Sequence, residues 1–313
     1  MTTRVLLAGA TGVVGRALVP LLRERGYQVT ALVRDPARAA GLELDGVLVA
    51  DALDEPAVRA AVDSARPDVV VHQLTALRQS VAEGLEQTSR LRTEGTRILV
   101  DAARVAGVGK VVAQSISFCT APIGGPVLAE DAPLYLDAPD AGWASTVGAV
   151  AEHERLVLST PDVTGIVLRY GTLYGPGTLY HPTGAVGGAV TRGRMPLPED
   201  AAGVMSFLHV EDAARAAVDA VDAVHAAESN ISGLFNITDD EPAAAADWLP
   251  AYASALGAPA PRTVPAKLAE RLLGWFTAYQ LTAMRGAAND RAAQALGWKP
   301  SLPSWRAQLA SAD

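Results

Sequence analysis

Cysteine is almost absent from this chain of 313 residues. Cys119 stands alone, which excludes an intrachain disulfide and a multi-cysteine metal centre, so no metal site is expected. Lysine is nearly as rare and occurs only at Lys110, Lys267 and Lys299. No apolar run reaches the ~20 residues that a membrane-spanning helix needs. There is no basic cluster and the formal net charge is -8, so nucleic acid is not an expected partner. No signal-peptide pattern precedes the first strand, so a cytoplasmic protein is expected. Aromatic residues make up only 5% of the chain, so a segment that gathers them stands out.

What is present in quantity is apolar sequence. Half of the residues are hydrophobic, enough for one large α/β unit with an added lobe. Strand patterns at Val5 to Ala8, Gln28 to Val33, Val47 to Ala50, Val69 to Val71 and Val111 to Gln114 alternate with helix patterns. Those helices run over Val13 to Arg25, Glu55 to Ala65 and Glu83 to Gly107. Continuous β-branched runs between helices indicate a parallel sheet buried on both faces, and right-handed crossovers make it a Rossmann-like doubly wound sheet. A loop from Cys119 to Gly142, a helix from Trp143 to Ser159 and a strand from Gly165 to Arg169 follow. Residues 175–203, rich in Gly and Pro, predict a mobile wall over the site. Ser206 to Val210 and Leu234 to Ile237 read as strands around a helix from Glu211 to Ala227. Beyond Asp239 the pattern is helical, with breaks expected at prolines including Pro250. The expected division is a dinucleotide-binding unit of residues 1–174 and 205–237, with a smaller, mainly helical substrate-binding lobe of 175–204 and 238–313.

The strongest chemical signal is Gly9-Ala10-Thr11-Gly12-Val13-Val14-Gly15, between a strand and a helix. Glycines there let the backbone approach a pyrophosphate seated on the helix N-terminus. Gly9, Thr11, Gly12, Val13, Val14 and Gly15 are therefore candidate cofactor contacts. The second strand ends in Val33-Arg34-Asp35-Pro36, which juxtaposes the arginine that suits a 2′-phosphate and the carboxylate that suits ribose hydroxyls. Arg34 comes first, and Asp35 before a proline also suits a turn or helix cap, so NADP(H) is preferred and NAD(H) remains possible. Asp51, Ala52 and Leu53 end the third strand beside an adenine, and Leu74 and Thr75 follow the fourth beside the cofactor ribose. His72 reads as a structural residue at a strand end.

Together these features resemble the extended short-chain dehydrogenase/reductases, the NAD-dependent epimerases and dehydratases. Thr93-Glu94-Gly95-Thr96 resembles their Asn-x-x-Gly-Thr, with Thr93 in the Asn position. Leu168-Arg169-Tyr170-Gly171-Thr172-Leu173-Tyr174-Gly175-Pro176-Gly177 resembles the segment near the nicotinamide, which adds Tyr170 and Thr172 as cofactor contacts. Phe207 to Asp212 and Leu296 to Pro300 resemble later signatures. The resemblance implies a small-molecule substrate and a monomer or homodimer.

The family's acid–base pair is Tyr-x-x-x-Lys, and no such spacing exists in this chain. Aligned on Glu152, the matching helix has Ala144 and Gly148 in those places. The catalytic serine position falls at or beside Ile116, leaving Ser115 or Ser117 as a hydrogen-bond donor to a substrate oxygen, with Tyr170 reaching from the substrate side. A substrate that carries its own phenol can protonate itself, and orientation alone offsets several kcal/mol of barrier. The pattern therefore resembles the atypical ketoreductases of aromatic polyketide pathways, such as angucyclinone enzymes of the simocyclinone type, which implies an NADPH-dependent reduction of a hydroxylated aromatic ketone. A non-catalytic NADP-binding sensor or scaffold and a nucleotide-sugar epimerase or dehydratase with another base are the alternatives. Leu272 to Tyr279 gathers aromatic residues that suit a flat apolar substrate or plain helix packing.

Overall fold

The computed structural model describes residues 2–76, 81–226, 231–307 and 309. Seven strands form one parallel sheet: Arg4–Ala8 (β1), Gln28–Val33 (β2), Gly46–Val49 (β3), Val69–His72 (β4), Lys110–Ile116 (β5), Thr164–Tyr170 (β7) and Gly233–Ile237 (β12). Their order is β12-β7-β5-β4-β1-β2-β3. β6 (Val127–Leu128) stands apart and pairs with Gly286–Ala287 (β15). The central strands are buried on both faces, because Val, Leu and Ala alternate without a polar side.

Helices cover both faces. Val13–Glu24 (α1) and Val210–His225 (α7) pack on one face. Alanines of α7, including Ala213, Ala216 and Ala217, are wholly buried there and allow close approach. Glu55–Ala65 (α2), Thr96–Val105 (α4) and Ala141–Ser159 (α5) pack on the other. Asp54 caps α2 by accepting from Ala57 N at 3.1 Å, and Asp140 caps α5 by accepting from Trp143 N at 2.8 Å. Val81–Arg90 (α3) runs into α4 through a π turn at Leu91–Gly95, so the expected single helix carries a local widening.

Residues 175–203 differ from the expected loop wall. They contain the helix Ala185–Thr191 (α6), and Tyr180, Val190 and Met195 sit in the lobe's own core. That lobe adds Ala245–Ala255 (α8), Ala266–Leu273 (α9) and Trp275–Thr282 (α10), whereas Asp290–Ala295 (α11) packs on β12 of the main sheet. Pro250 lies inside α8 and does not break it, because the carbonyl it leaves unpaired, on Ala246, is at an exposed position. Ala292 and Trp298 pack into the core under α1 and α7, so the C-terminal segment reaches back to the sheet. Among the described residues no helix is long and apolar enough to cross a membrane.

Two buried polar networks hold α5 against the sheet. In the first, Glu154 Oε1 accepts from Ser115 Oγ at 2.8 Å and from Arg169 Nε at 2.7 Å, while Oε2 accepts from Arg169 Nη2 at 2.6 Å. In the second, Leu74 N donates to His72 Nδ1, His72 Nε2 meets Thr96 Oγ1 at 3.0 Å, Thr96 Oγ1 meets His153 Nδ1 at 2.7 Å, and His153 Nε2 meets Gln114 O at 2.9 Å. Because Leu74 N donates to Nδ1, neutral His72 donates from Nε2 to Thr96, and His153 donates from Nε2 to the Gln114 carbonyl. The Thr96 hydroxyl has both His153 Nδ1 and, at 3.3 Å, Leu91 O as acceptors. Burial favours the neutral form of both imidazoles: it lowers the pKa of His72 to about 4 and that of His153 well below its ordinary value.

Replacing Thr96 by Val orphans a donor on His72 and an acceptor on His153, and the expected loss is roughly 3 kcal/mol in urea unfolding. Both histidines have folded pKa values below the unfolded value of 6.5, so their contribution is fully present above pH 6.5 and is lost as pH falls toward about 4. A proton NMR titration should show neither ring titrating between pH 5.5 and 8, in contrast to an exposed histidine.

Candidate active site

The glycine turn follows β1 and opens α1, as the chain pattern requires. A Cβ at Gly9, where φ is +103°, would lie 2.6 Å from the Gln73 carbonyl carbon and oxygen. A Cβ at Gly15 would run into the Gly9 carbonyl. Gly12 begins the helix with no side-chain cap, so the first backbone N–H groups of α1 are left to an incoming anion. Val14 faces the core, whereas Val13 is 37% exposed beside Gly177 of the loop after Tyr174. Thr11 is half-buried in the turn. Backbone crowding at Gly9 and Gly15 with uncapped donors ahead fits a dinucleotide pyrophosphate.

The other expected cofactor residues gather at the carboxyl edge of the same sheet. Arg34 directly follows β2 and is exposed. Asp35 accepts from Ala37 N at 3.0 Å and caps the short helix Pro36–Ala39, so its carboxylate serves the backbone. Arg16 Nη2 donates to the Arg38 carbonyl at 2.7 Å, which brings a further guanidinium to this corner. Asp51 Oδ1 accepts from Leu53 N at 3.0 Å, with Ala52 buried beneath. Leu74 is half-buried and Thr75 is exposed beyond β4.

At the opposite end of the cleft the expected donors separate. The Ser115 proton goes to Glu154, so Ser115 is part of the scaffold. Ser117 lies in the turn Ser117–Cys119 after β5, and among the described residues its hydroxyl has no hydrogen-bond partner. Tyr170 does not reach from the substrate side as expected. Its ring is 1% exposed within the core, its hydroxyl accepts from Gln73 Nε2 at 3.1 Å, and burial raises its pKa. It ends β7 beneath the site and is not placed to hand a proton to substrate. Thr172, buried in the strand Thr172–Tyr174 (β8), pairs with Phe207 of β11 (Phe207–His209). His209 caps α7 through Glu211 N.

The register on α5 also needs correction. Glu152 is ion-paired to Arg155 near the surface, and Glu154 is the buried carboxylate. Counting eight and four residues back from Glu154 gives Thr146 and Val150, in place of Ala144 and Gly148. Thr146 Oγ1 donates to Gly142 O at 3.0 Å. In either register the inward face of α5 offers no tyrosine or lysine.

Aromatic rings fill the space that results. Trp143 on α5 lies 4.2 Å from Phe276 of α10 and 6.3 Å from Phe118, measured between ring centroids. Trp275 stacks on Tyr279 at 5.1 Å, and Tyr279 meets Tyr135 at 5.6 Å. Trp143 Nε1 is buried without a partner. Sequence reasoning located the α10 rings but missed their contact with Trp143 and the Gln73–Tyr170 hydrogen bond, which depend on burial that no local pattern marks.

A nucleotide-binding oxidoreductase is the class that this fold and glycine turn define. The profile of the NAD dependent epimerase/dehydratase family matches residues 5–237, and the chain belongs to that family. It is 63% identical over 306 residues to a 3-diazoavenalumate denitrifying reductase from a Streptomyces species, covering 97% of this chain and 98% of that one. It is 37% identical over 177 residues to a dTDP-4-dehydrorhamnose reductase of Streptomyces griseus, covering 56% and 51% of the two chains. Among solved structures, the dTDP-glucose 4,6-dehydratase of Bacillus anthracis in complex with NAD superposes with a TM-score of 0.74 at 16% identity, covering 98% of this chain and 94% of that one. The chain is an NAD(P)-dependent oxidoreductase with a nicotinamide cofactor.

Gly15→Ala forces a shift of the turn backbone, and at least a tenfold loss of cofactor affinity is expected in a fluorescence titration. Gly12→Ala, whose Cβ would sit 3.3 Å from Gly9 O, should lose markedly less.

Proposed function

We propose that this chain is an NADPH-dependent reductase that delivers hydride to an aromatic substrate bearing a diazo group, with release of dinitrogen. The observation that carries this reading is the 63% identity, across nearly the whole of both chains, to a reductase named for denitrifying a diazo compound. The sequence-level expectation of a ketone acceptor agrees less well with the geometry. Hydride addition to a ketone leaves an alkoxide that needs a proton or fixed donors. The Ser115 proton is committed to Glu154 and Tyr170 is sealed in the core, which leaves Ser117 as the one hydroxyl of the three without a partner among the described residues.

Denitrifying reduction makes no such demand. Hydride arrives with its electron pair and a C–H bond forms. The C–N bond breaks, its electron pair leaves with dinitrogen, and an oxygen conjugated with that carbon remains as a phenolate that water protonates. Atoms and charge balance with no proton supplied at the acceptor carbon. The nicotinamide, when bound, supplies the hydride.

This chain's residues supply position. The turn from Gly9 to Gly15 and the start of α1 hold the pyrophosphate. Arg34, with Arg16 and Arg38 nearby, takes a 2′-phosphate, and the capping role of Asp35 removes the carboxylate that would compete. Asp51 receives the adenine amino group, and Leu74 and Thr75 line the ribose. Ser117 orients a substrate oxygen. The half-buried rings of Phe118 and Phe276, backed by the buried Trp143, offer an apolar surface to an aromatic substrate.

With a 15N-labelled ortho-hydroxyaryl diazo compound, mass spectrometry should find one labelled dinitrogen per NADPH oxidised. Faster turnover of a hydroxyaryl ketone than of any such diazo compound would instead establish the ketoreductase. Arg34→Ala should lower kcat/KM with NADPH about tenfold and leave the value with NADH nearly unchanged.

A further inference from the structure

A cation without a counter-ion among the described residues sits near the carboxyl ends of β4 and β5. Arg92 lies in the π turn Leu91–Gly95 and is 3% exposed. Among the described residues no carboxylate pairs with it and its side chain makes no hydrogen bond. Glu154 is already satisfied by Arg169 and Ser115. The groups that feel the charge of Arg92 are His72 at the end of β4, His153 and Glu154 on α5, and Cys119 after β5. The guanidinium is therefore at the carboxyl ends of β4 and β5, on the far side of the glycine turn from Arg34.

Among the described residues nothing neutralises it. Burial favours the neutral form of both histidines and pushes the Cys119 thiol up to about 12. Nε of Arg92 is sealed and unpartnered. The two terminal nitrogens also lack partners but are not sealed, so the residual exposure lies at the tip of the guanidinium. A buried, unpaired charge lowers folding stability, and its retention calls for a ligand of opposite sign. Arg285 Nε, beside Tyr279, is a second guanidinium nitrogen sealed and unpartnered among the described residues.

We infer that Arg92 is an anion-binding residue that receives an oxyanion of an aromatic substrate at the reacting end of the site. The identity of that oxyanion rests on the reading above: it is the oxygen conjugated with the carbon that accepts hydride, where negative charge collects as the C–N bond breaks. A fixed guanidinium stabilises that charge without reorganising, as water must. Phe118 precedes Cys119, which feels the charge of Arg92, and its ring stacks on Trp143 of α5.

The test uses salicylate as the aromatic anion and salicylamide as its neutral counterpart. Calorimetric titrations of the NADP+-loaded protein are made with wild type, Arg92→Met and Arg92→Lys, alongside NADP+ affinity and melting temperature. Wild type should bind salicylate at least tenfold more tightly than salicylamide. Arg92→Met should bind both alike, keep its NADP+ affinity and melt at the same or a higher temperature, because a lone buried charge has gone. Arg92→Lys should recover part of the preference. Equal binding of the two probes by wild type overturns the inference, as does an unchanged preference in Arg92→Met. A loss of NADP+ affinity makes Arg92 a cofactor residue, and a lower melting temperature with loss of both ligands makes it structural. Dinitrogen release is scored separately. Salicylate binding through Arg92 without dinitrogen release refutes the proposed reaction alone, and release with unchanged KM and kcat in Arg92→Met refutes the anion site alone.

Discussion

The buried contact between Glu154 and Arg169 is the constraint from which the reacting end takes its shape. An ion pair removed from water is tolerable only when its remaining hydrogen-bonding capacity is filled. Here both carboxylate oxygens are occupied, by two guanidinium nitrogens and the Ser115 hydroxyl, and Arg169 Nη1 reaches the Glu130 carbonyl at 3.3 Å. The pair joins α5 to β5 and β7 at once. With the His72–Thr96–His153 relay, which adds β4 and α4, it fixes five elements at this end of the sheet.

The same networks decide which groups are chemically inert. Ser115, His72 and His153 carry the residue types of catalysis, yet each proton has a committed acceptor. Tyr170 is held by Gln73 in the core and burial favours its neutral form. What remains free at this end is the Ser117 hydroxyl, the aromatic surface and an unpaired guanidinium. Such a set aligns a ring and stabilises negative charge more readily than it exchanges protons. That agrees with a reaction in which dinitrogen leaves and the acceptor carbon needs no acid.

The cofactor end was legible in the chain because its physics is local. Gly9, Gly12 and Gly15 are read from spacing, since a close backbone turn between strand and helix admits no Cβ at Gly9 or Gly15. Asp35 before Pro36 suits a helix cap by its sequence, and it does cap Pro36–Ala39. At the reacting end the relevant property is burial. Arg92 reads as an ordinary surface charge within Leu91-Arg92-Thr93-Glu94, and Glu152 and Glu154 are two residues apart on one helix. Helical phase puts Glu154 inward and Glu152 outward, so alignment on the wrong glutamate misplaced the register by two positions.

By itself, then, the sequence determined the doubly wound sheet, the dinucleotide turn and the lack of a Tyr-x-x-x-Lys pair, because these follow from apolar periodicity, glycine sterics and simple spacing. The tertiary structure alone decided which polar groups are spent on holding the fold and which stay free. That outcome depends on where α4, α5 and the lobe converge on the strand ends, and on the rule that every buried donor must find an acceptor. Ser115 found its acceptor in Glu154, Tyr170 accepts from Gln73, and the guanidinium of Arg92 found no partner among the described residues.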